Sequence, residues 1–138
     1  MSDLVRLSLS LEKPLLDQLE KLVKRSGYTN RSEFVRDLVR KRLVDEEWEK
    51  DRVVLGTVTL VYDHHQRLLS KKLTELQHDH HDEVLATTHV HLTAHLCAEV
   101  IIMRAKASHV RQLSDRLQQQ KGVLHAELSM ASTGAHLH

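Results

Sequence analysis

His89 and His91 stand two residues apart in the stretch LATTHVHLTAHLC, and Cys97, the only cysteine of the chain, follows six residues after His91. In an extended strand, residues i and i+2 project on the same side with Cα atoms about 6–7 Å apart, so two imidazoles can converge on one ion. A short turn over residues 93–96 then lets Cys97 open a neighbouring antiparallel strand, on the sheet edge beside both histidines. Two imidazoles and a thiolate form an intermediate-to-soft donor set that suits nickel, copper, zinc or cobalt and suits magnesium or calcium poorly. Three donors leave one coordination position open, which in zinc enzymes holds water. Taken singly these residues have ordinary readings, since strand histidines are commonly solvated and a lone cysteine commonly packs. The combination, downstream of the HDHH run at residues 78–81, points to a metal site.

The elements that must position these donors follow from hydrophobic periodicity. Residues 53–62 are strand-like, 66–76 helical, 84–94 and 97–105 strand-like, 110–120 helical and 123–130 strand-like. The order βαββαβ is that of a split βαβ, ferredoxin-like sandwich, in which two helices cover one sheet face and the other is left for a partner. Residues 131–138 are small and polar and are expected to be loose.

The first 43 residues read differently. Val5, Leu7, Leu9 and Leu11 alternate with Arg6, Ser8 and Ser10, the period of a short strand. From Glu12 the spacing turns helical, with Leu15, Leu16, Leu19, Leu22 and Val23 on one face, Pro14 suited to the first turn and Gly27 as terminator. In YTNRSEFVRDLVRKRL, Asn30 is placed as an N-cap, and Glu33 three residues later completes a capping-box-like arrangement ahead of Phe34, Val35, Leu38, Val39 and Leu43. No second strand follows to pair the first, and so short a module has little core, so pairing with a second copy is the obvious remedy. The run DEEWEKDR at residues 45–52 reads as a solvated linker or a helix end.

A net charge of +1 conceals an asymmetry: residues 1–43 carry ten Lys and Arg against six Asp and Glu, the remainder ten against thirteen, and all twelve histidines lie at or beyond His64. A basic part without histidine and a near-neutral part rich in it suggest two modules with different partners. With one Trp, two Tyr and one Phe, any core is mostly aliphatic, and oligomerisation would help modules of this size bury enough surface. No apolar run approaches the ~20 residues that span a bilayer, and no basic start leads into an apolar segment with a cleavage site, so a cytoplasmic protein without a membrane partner is expected. A lone cysteine in a reducing compartment forms no internal disulfide and is filler, reactive thiol or metal ligand.

Four segments together resemble one family over nearly the whole chain, the NikR family of nickel-responsive transcriptional regulators: the strand VRLSLSL, the helix entry GYTNRSEFVRDLV, the cluster QHDHHD, and ATTHVHLTAHLCAE with its His-x-His-x₅-Cys spacing. The resemblance implies an α+β protein: a ribbon-helix-helix DNA-binding domain at residues 1–47, a linker at 48–52, and a tetramerising, metal-binding ACT-type domain of ferredoxin-like fold at 53–138. It implies Ni²⁺ as cofactor, a homotetramer built as a dimer of dimers, a double-stranded DNA operator as partner, and no small organic ligand. By position, His89, His91 and Cys97 match the family's nickel ligands from one subunit, and His78 matches the one supplied by another subunit, so protein rather than water would fill the fourth position. A d⁸ nickel ion favours such a planar set over zinc's tetrahedron. Tyr62 and Glu99 match residues near the site and would orient the ligands by hydrogen bonds. Glu33 and Asp37 match a weaker cation site; without the family they are a capping glutamate and an acid one turn on, on a solvated helix face.

For DNA, a ribbon of two amino-terminal strands fits the B-DNA major groove, with Arg6, Ser8 and Ser10 toward base edges and arginine able to bond guanine bidentately. Without DNA that polar face merely meets water. The second helix's start, near residues 30–32, could hold a phosphate through free N–H groups. Arg67 fits the family's backbone-contacting basic residues after the first regulatory strand, whereas Gln66 stands where some relatives have lysine. The expected function is nickel-dependent repression of nickel-uptake genes rather than enzymatic catalysis. A nickel store or chaperone is the alternative, yet it has no use for the Arg6, Ser8 and Ser10 strand; a metalloenzyme would need a base beside the metal, where only Glu99 qualifies.

Overall fold

The computed structural model describes residues 3–138 and divides into two compact units, Met1–Leu43 with His136–His138, and Val44–Ala135. In the first unit, α1 spans Lys13–Arg25 with Pro14 in its first turn. Its end is a Schellman-type closure: Tyr28 N–H bonds the Val23 carbonyl at 3.1 Å around Gly27, whose φ of 77° favours a residue without Cβ. The next helix, α2, spans Arg31–Glu49. Asn30 caps it as expected, its Oδ1 accepting from Glu33 N–H at 2.9 Å. The reciprocal bond differs from a capping box, because the Glu33 carboxylate accepts from Thr29 Oγ1 at 3.5 Å rather than from the Asn30 backbone.

Residues 4–11 form no strand in the single chain, and Leu4, Val5 and Leu7 are 93%, 87% and 80% exposed. The physical reason is the one that predicts a second copy: an extended segment becomes a strand only when another strand pairs with it, and among the described residues none does. Of the two readings of the charged run at residues 45–52, the helix end describes its first part: α2 continues through Glu49, and Trp48 is buried to 2% exposure rather than solvated. The Trp48 indole N–H donates to the Ala131 carbonyl at 2.8 Å, and the Arg111 guanidinium lies 5.3 Å from the ring centroid.

The second unit has β1 (Val53–Asp63), α3 (Leu69–His78), β2 (Val84–His91), β3 (Leu96–Lys106), α4 (Ala107–Gln118) and β4 (Val123–Ala131). All pairings are antiparallel in the order β2-β3-β1-β4, the expected ferredoxin-like sheet. Along β1 burial alternates: Val54, Val58, Leu60 and Tyr62 lie in the core with Leu69 and Leu73 of α3 and Val110, Leu113 and Leu117 of α4. At Gly56 a Cβ would stand 2.5 Å from Val110 Cγ1, so the glycine permits α4 its approach. The opposite sheet face carries Val61, Ala98, Val100, Ile102 and Val90 in register, none of them fully buried.

Two local features hold this unit. Helix α3 begins at Leu69, three residues later than periodicity predicts, because residues 64–68 form a turn closed by the Leu68 φ of 66°. Asp51 (φ 53°), in the turn between α2 and β1, bonds the start of α4, accepting from Ser108 N–H at 2.7 Å and Ser108 Oγ at 3.0 Å. Those bonds hold its carboxyl below the usual carboxylate range. Among the described residues no helix is long and apolar enough to cross a membrane.

Candidate metal centre

Strand register brings the central donors together. His91 pairs with Cys97 across β2 and β3, and Tyr62 of β1 pairs with Cys97 on its other side, so all three share one end of the sheet. Cys97 Sγ is fully buried and lies 3.3 Å from His91 Nδ1. Two donors about 2.0–2.3 Å from an ion and at right angles to each other stand about 3 Å apart, so this pair is spaced as two ligands of one metal. His89 stands on the same side of β2, its ring centroid 5.1 Å from that of His91. Its Nδ1 is 3.2 Å from the Tyr62 hydroxyl, which leaves Nε2 as the nitrogen available to an ion.

A third imidazole comes from a residue that the strand spacing did not single out. His64, just past β1, has a ring nitrogen within 4.8 Å of a His91 nitrogen and of Cys97 Sγ, and among the described residues these three form the group of possible ligands that close together. His64 Nε2 is 2.6 Å from the Ala94 carbonyl; it must donate there, so the neutral ring keeps its Nδ1 lone pair free. The only sequence signal was the HH pair of residues 64 and 65. Its proximity depends on Asp63 pairing with Leu96, a contact over 33 positions that periodicity cannot reveal.

Tyr62 and Glu99 both adjoin the site. Burial, reinforced by Glu99 and Cys97, pushes the Tyr62 phenol up to about 12. Glu99 pairs with His89 across the ladder, and burial raises its carboxyl above the usual range despite the Gln77 hydrogen bond and the nearby imidazole. Gln77 is the other residue missed from sequence: it donates to Glu99 at 3.4 Å and accepts from Thr87 Oγ1 at 2.8 Å, joining the end of α3 to β2 and β3. His78, the last residue of α3, is exposed and lies near His81 at 5.9 Å between rings, outside the group formed by His64, His91 and Cys97.

Elsewhere, Glu33 and Asp37 border a pocket of about 280 Å³ with Tyr28, Arg36 and Arg40. Tyr28 donates its hydroxyl to Asp37, and Arg40 is paired with the same carboxylate at 3.5 Å. Arg6, Ser8 and Ser10 are exposed on the unpaired amino-terminal segment, and Arg67 is exposed in the turn after β1.

Comparison with known proteins agrees with the donor chemistry. Residues 55–131 match the family described as NikR C terminal nickel binding domain, and residues 5–46 match ribbon-helix-helix protein, copG family. A protein of Geobacter sulfurreducens is 50% identical and one of Geotalea uraniireducens 49% identical, each over 139 aligned positions covering the whole of both chains; both are provisionally named nickel-responsive regulators. Among solved structures, the ACT domain of a GTP pyrophosphokinase from Chlorobium tepidum aligns with a TM-score of 0.50 at 12% identity, covering 56% of this chain and 99% of that one. An uncharacterized protein of Thermotoga maritima aligns with a TM-score of 0.51 at 15% identity, covering 56% and 96%. These two likenesses concern the fold alone. With a buried thiol beside strand imidazoles, matches to both domains and full-length relatives near half identity, the chain belongs to the NikR family of nickel-responsive regulators, an α+β family of ribbon-helix-helix and ACT-like domains that are regulators rather than enzymes.

Proposed function

We propose that this protein is a nickel-dependent, sequence-specific DNA-binding repressor of nickel-uptake genes, working as a cytoplasmic homotetramer. The observation that carries the proposal is the 3.3 Å approach of Cys97 Sγ to His91 Nδ1, in a chain whose other end is a basic ribbon-helix-helix segment. In this reading His89, His91 and Cys97 of one subunit and His78 of a second subunit hold Ni²⁺, which would supply a four-coordinate centre joining the two. Tyr62 and Glu99 orient the ligands. The half-buried apolar sheet face is the surface on which subunits assemble, and residues 1–47 pair into a ribbon that presents Arg6, Ser8 and Ser10 to the major groove. Arg67 adds a phosphate contact, and Glu33 and Asp37 hold a second, weaker cation.

Coupling follows from differential binding. His78 is exposed at the end of α3, far in sequence from the strand donors, so recruiting it stiffens the region around His78 and favours the arrangement in which two ribbons engage two half-sites. Such an ordering step is a legitimate source of a few kcal/mol. The test is selection of bound duplexes from a random-sequence pool in the presence of Ni²⁺, followed by gel-shift titration of the selected sequence. The expected result is binding at least about tenfold tighter with Ni²⁺ than with chelator, lost in Arg6→Ala. Equal affinity in both conditions contradicts the proposal.

A further inference from the structure

The α3 to β2 connection is fastened by a carboxylate held between two histidines. Glu83 Oε1 is 3.2 Å from His80 Nδ1 and Glu83 Oε2 is 2.8 Å from His109 Nδ1, so one side chain joins the turn after α3 to the first turns of α4. Its backbone is fastened too: the Glu83 carbonyl accepts from Arg104 N–H of β3 at 2.9 Å, and Glu83 N–H donates to the His80 carbonyl at 2.9 Å. Burial works against the charge on Glu83, yet the hydrogen bonds from His109 and His80 outweigh it and hold the carboxyl below the usual range. His80 is largely buried and not a free surface histidine, its side chain being 18% exposed. The two imidazoles flank the carboxylate instead of converging with it on a point, as metal ligands would.

The fastened segment immediately follows His78. A chain of turns, His80 N–H to the Gln77 carbonyl and His81 N–H to the His78 carbonyl at 3.0 and 3.1 Å, transmits the position of Glu83 to the end of α3. We propose that Glu83, through His80 and His109, is a positioning residue that presets the α3 to β2 turn and thereby the direction in which His78 is offered to nickel. This rests on the reading of His78 as the ligand given to a second subunit. A turn fastened by protein contacts alone loses less conformational freedom when metal binds, so the clasp raises nickel affinity without touching the ion. It also assigns a role to His80 and His109, which otherwise look like surplus histidines.

The test uses the full-length protein and Ni²⁺ alone. In the metal-free state, hydrogen exchange read by mass spectrometry over peptides covering residues 77–84 should accelerate about tenfold in Glu83→Ala and in His109→Ala, while β1 and β3 peptides keep their protection. Nickel affinity, measured against a competing chelator, should fall about three- to tenfold in both variants, with the thiolate-to-nickel absorption band unchanged in position. The double variant should be no worse than the poorer single one, and His109→Gln, which keeps a donor, should recover most of the loss. Unchanged exchange in residues 77–84 together with unchanged nickel affinity overturns the clasp. Absence of any thiolate-to-nickel band in the unaltered protein overturns the reading of the metal centre instead, and the metal-free exchange result still decides whether the clasp exists. His109 is partly exposed on a helix surface, so its variants fold even where Glu83→Ala does not.

Discussion

Replacing Cys97 by alanine separates the packing role of this residue from its chemical one. Cys97 has no exposed surface and sits in the core cluster, paired with Tyr62 across the ladder. Losing one buried Sγ removes its contacts and leaves a void smaller than a methylene-rich truncation would, a cost of about 1 kcal/mol. Against a typical stability of roughly 5–15 kcal/mol the variant stays folded. Metal binding responds on a different scale. A four-ligand site worth roughly 10–16 kcal/mol contributes about 3 kcal/mol per ligand, so loss of the thiolate weakens Ni²⁺ binding on the order of a hundredfold. Competition with a chelator of known affinity measures this, and the near-ultraviolet thiolate-to-nickel band should vanish with it. His89→Ala should cost a comparable factor and His64→Ala less than about tenfold, because His64 stands near the thiolate without belonging to the proposed four donors. Retention of affinity within about threefold in Cys97→Ala, with the band intact, would mean that Cys97 is no nickel ligand.

Two further outcomes follow from the second unit. Trp48→Ala should destabilise it by about 3–5 kcal/mol, since it removes a buried indole and leaves the Ala131 carbonyl without its donor; Trp48→Phe should cost only about 1–2 kcal/mol. Urea unfolding followed by far-ultraviolet circular dichroism measures both, and a cost under about 1 kcal/mol for the alanine variant would mean that Trp48 is no anchor. In metal-free protein, Tyr62 should ionise near pH 12, read from phenolate absorbance after comparison with Tyr62→Phe. Because its folded value lies above the unfolded one of about 10, the associated stability is complete below about pH 10 and is lost as pH rises toward 12. Ionisation near pH 10 would mean that Tyr62 is solvated.

Local patterns made much of the molecule legible. The period-two placing of His89 and His91 and the short return to Cys97 encode a strand, a turn and an adjacent strand, and the ladder indeed sets His91 against Cys97. Gly27 and Pro14 act through their own backbones and Asn30 through a side-chain oxygen that bonds a backbone N–H three residues on, so their capping and terminating roles need no tertiary knowledge. What was hidden depends on long-range register or on conformations that contradict propensity. His64 joins the site through the pairing of β1 with β3, Leu68 adopts a left-handed conformation that an apolar residue rarely takes, and Glu83 meets His109 across 26 positions. Trp48 lay in a run of charges whose composition suggested solvent, yet helix α2 turns that one residue inward. For residues 4–11 alternation was visible, but a strand exists only when something pairs with it.

Mixing two defective proteins most directly tests whether the nickel site is shared between subunits. His78→Ala keeps Cys97 but lacks the donated imidazole, and Cys97→Ala has the reverse defect, so neither alone should give the thiolate-to-nickel band. After the two are unfolded together and refolded at equal concentration, mixed assemblies should regain the band and high-affinity Ni²⁺ in a fraction of their sites. If mixing restores nothing, or if His78→Ala alone binds Ni²⁺ as tightly as the unaltered protein, the site does not lie between subunits.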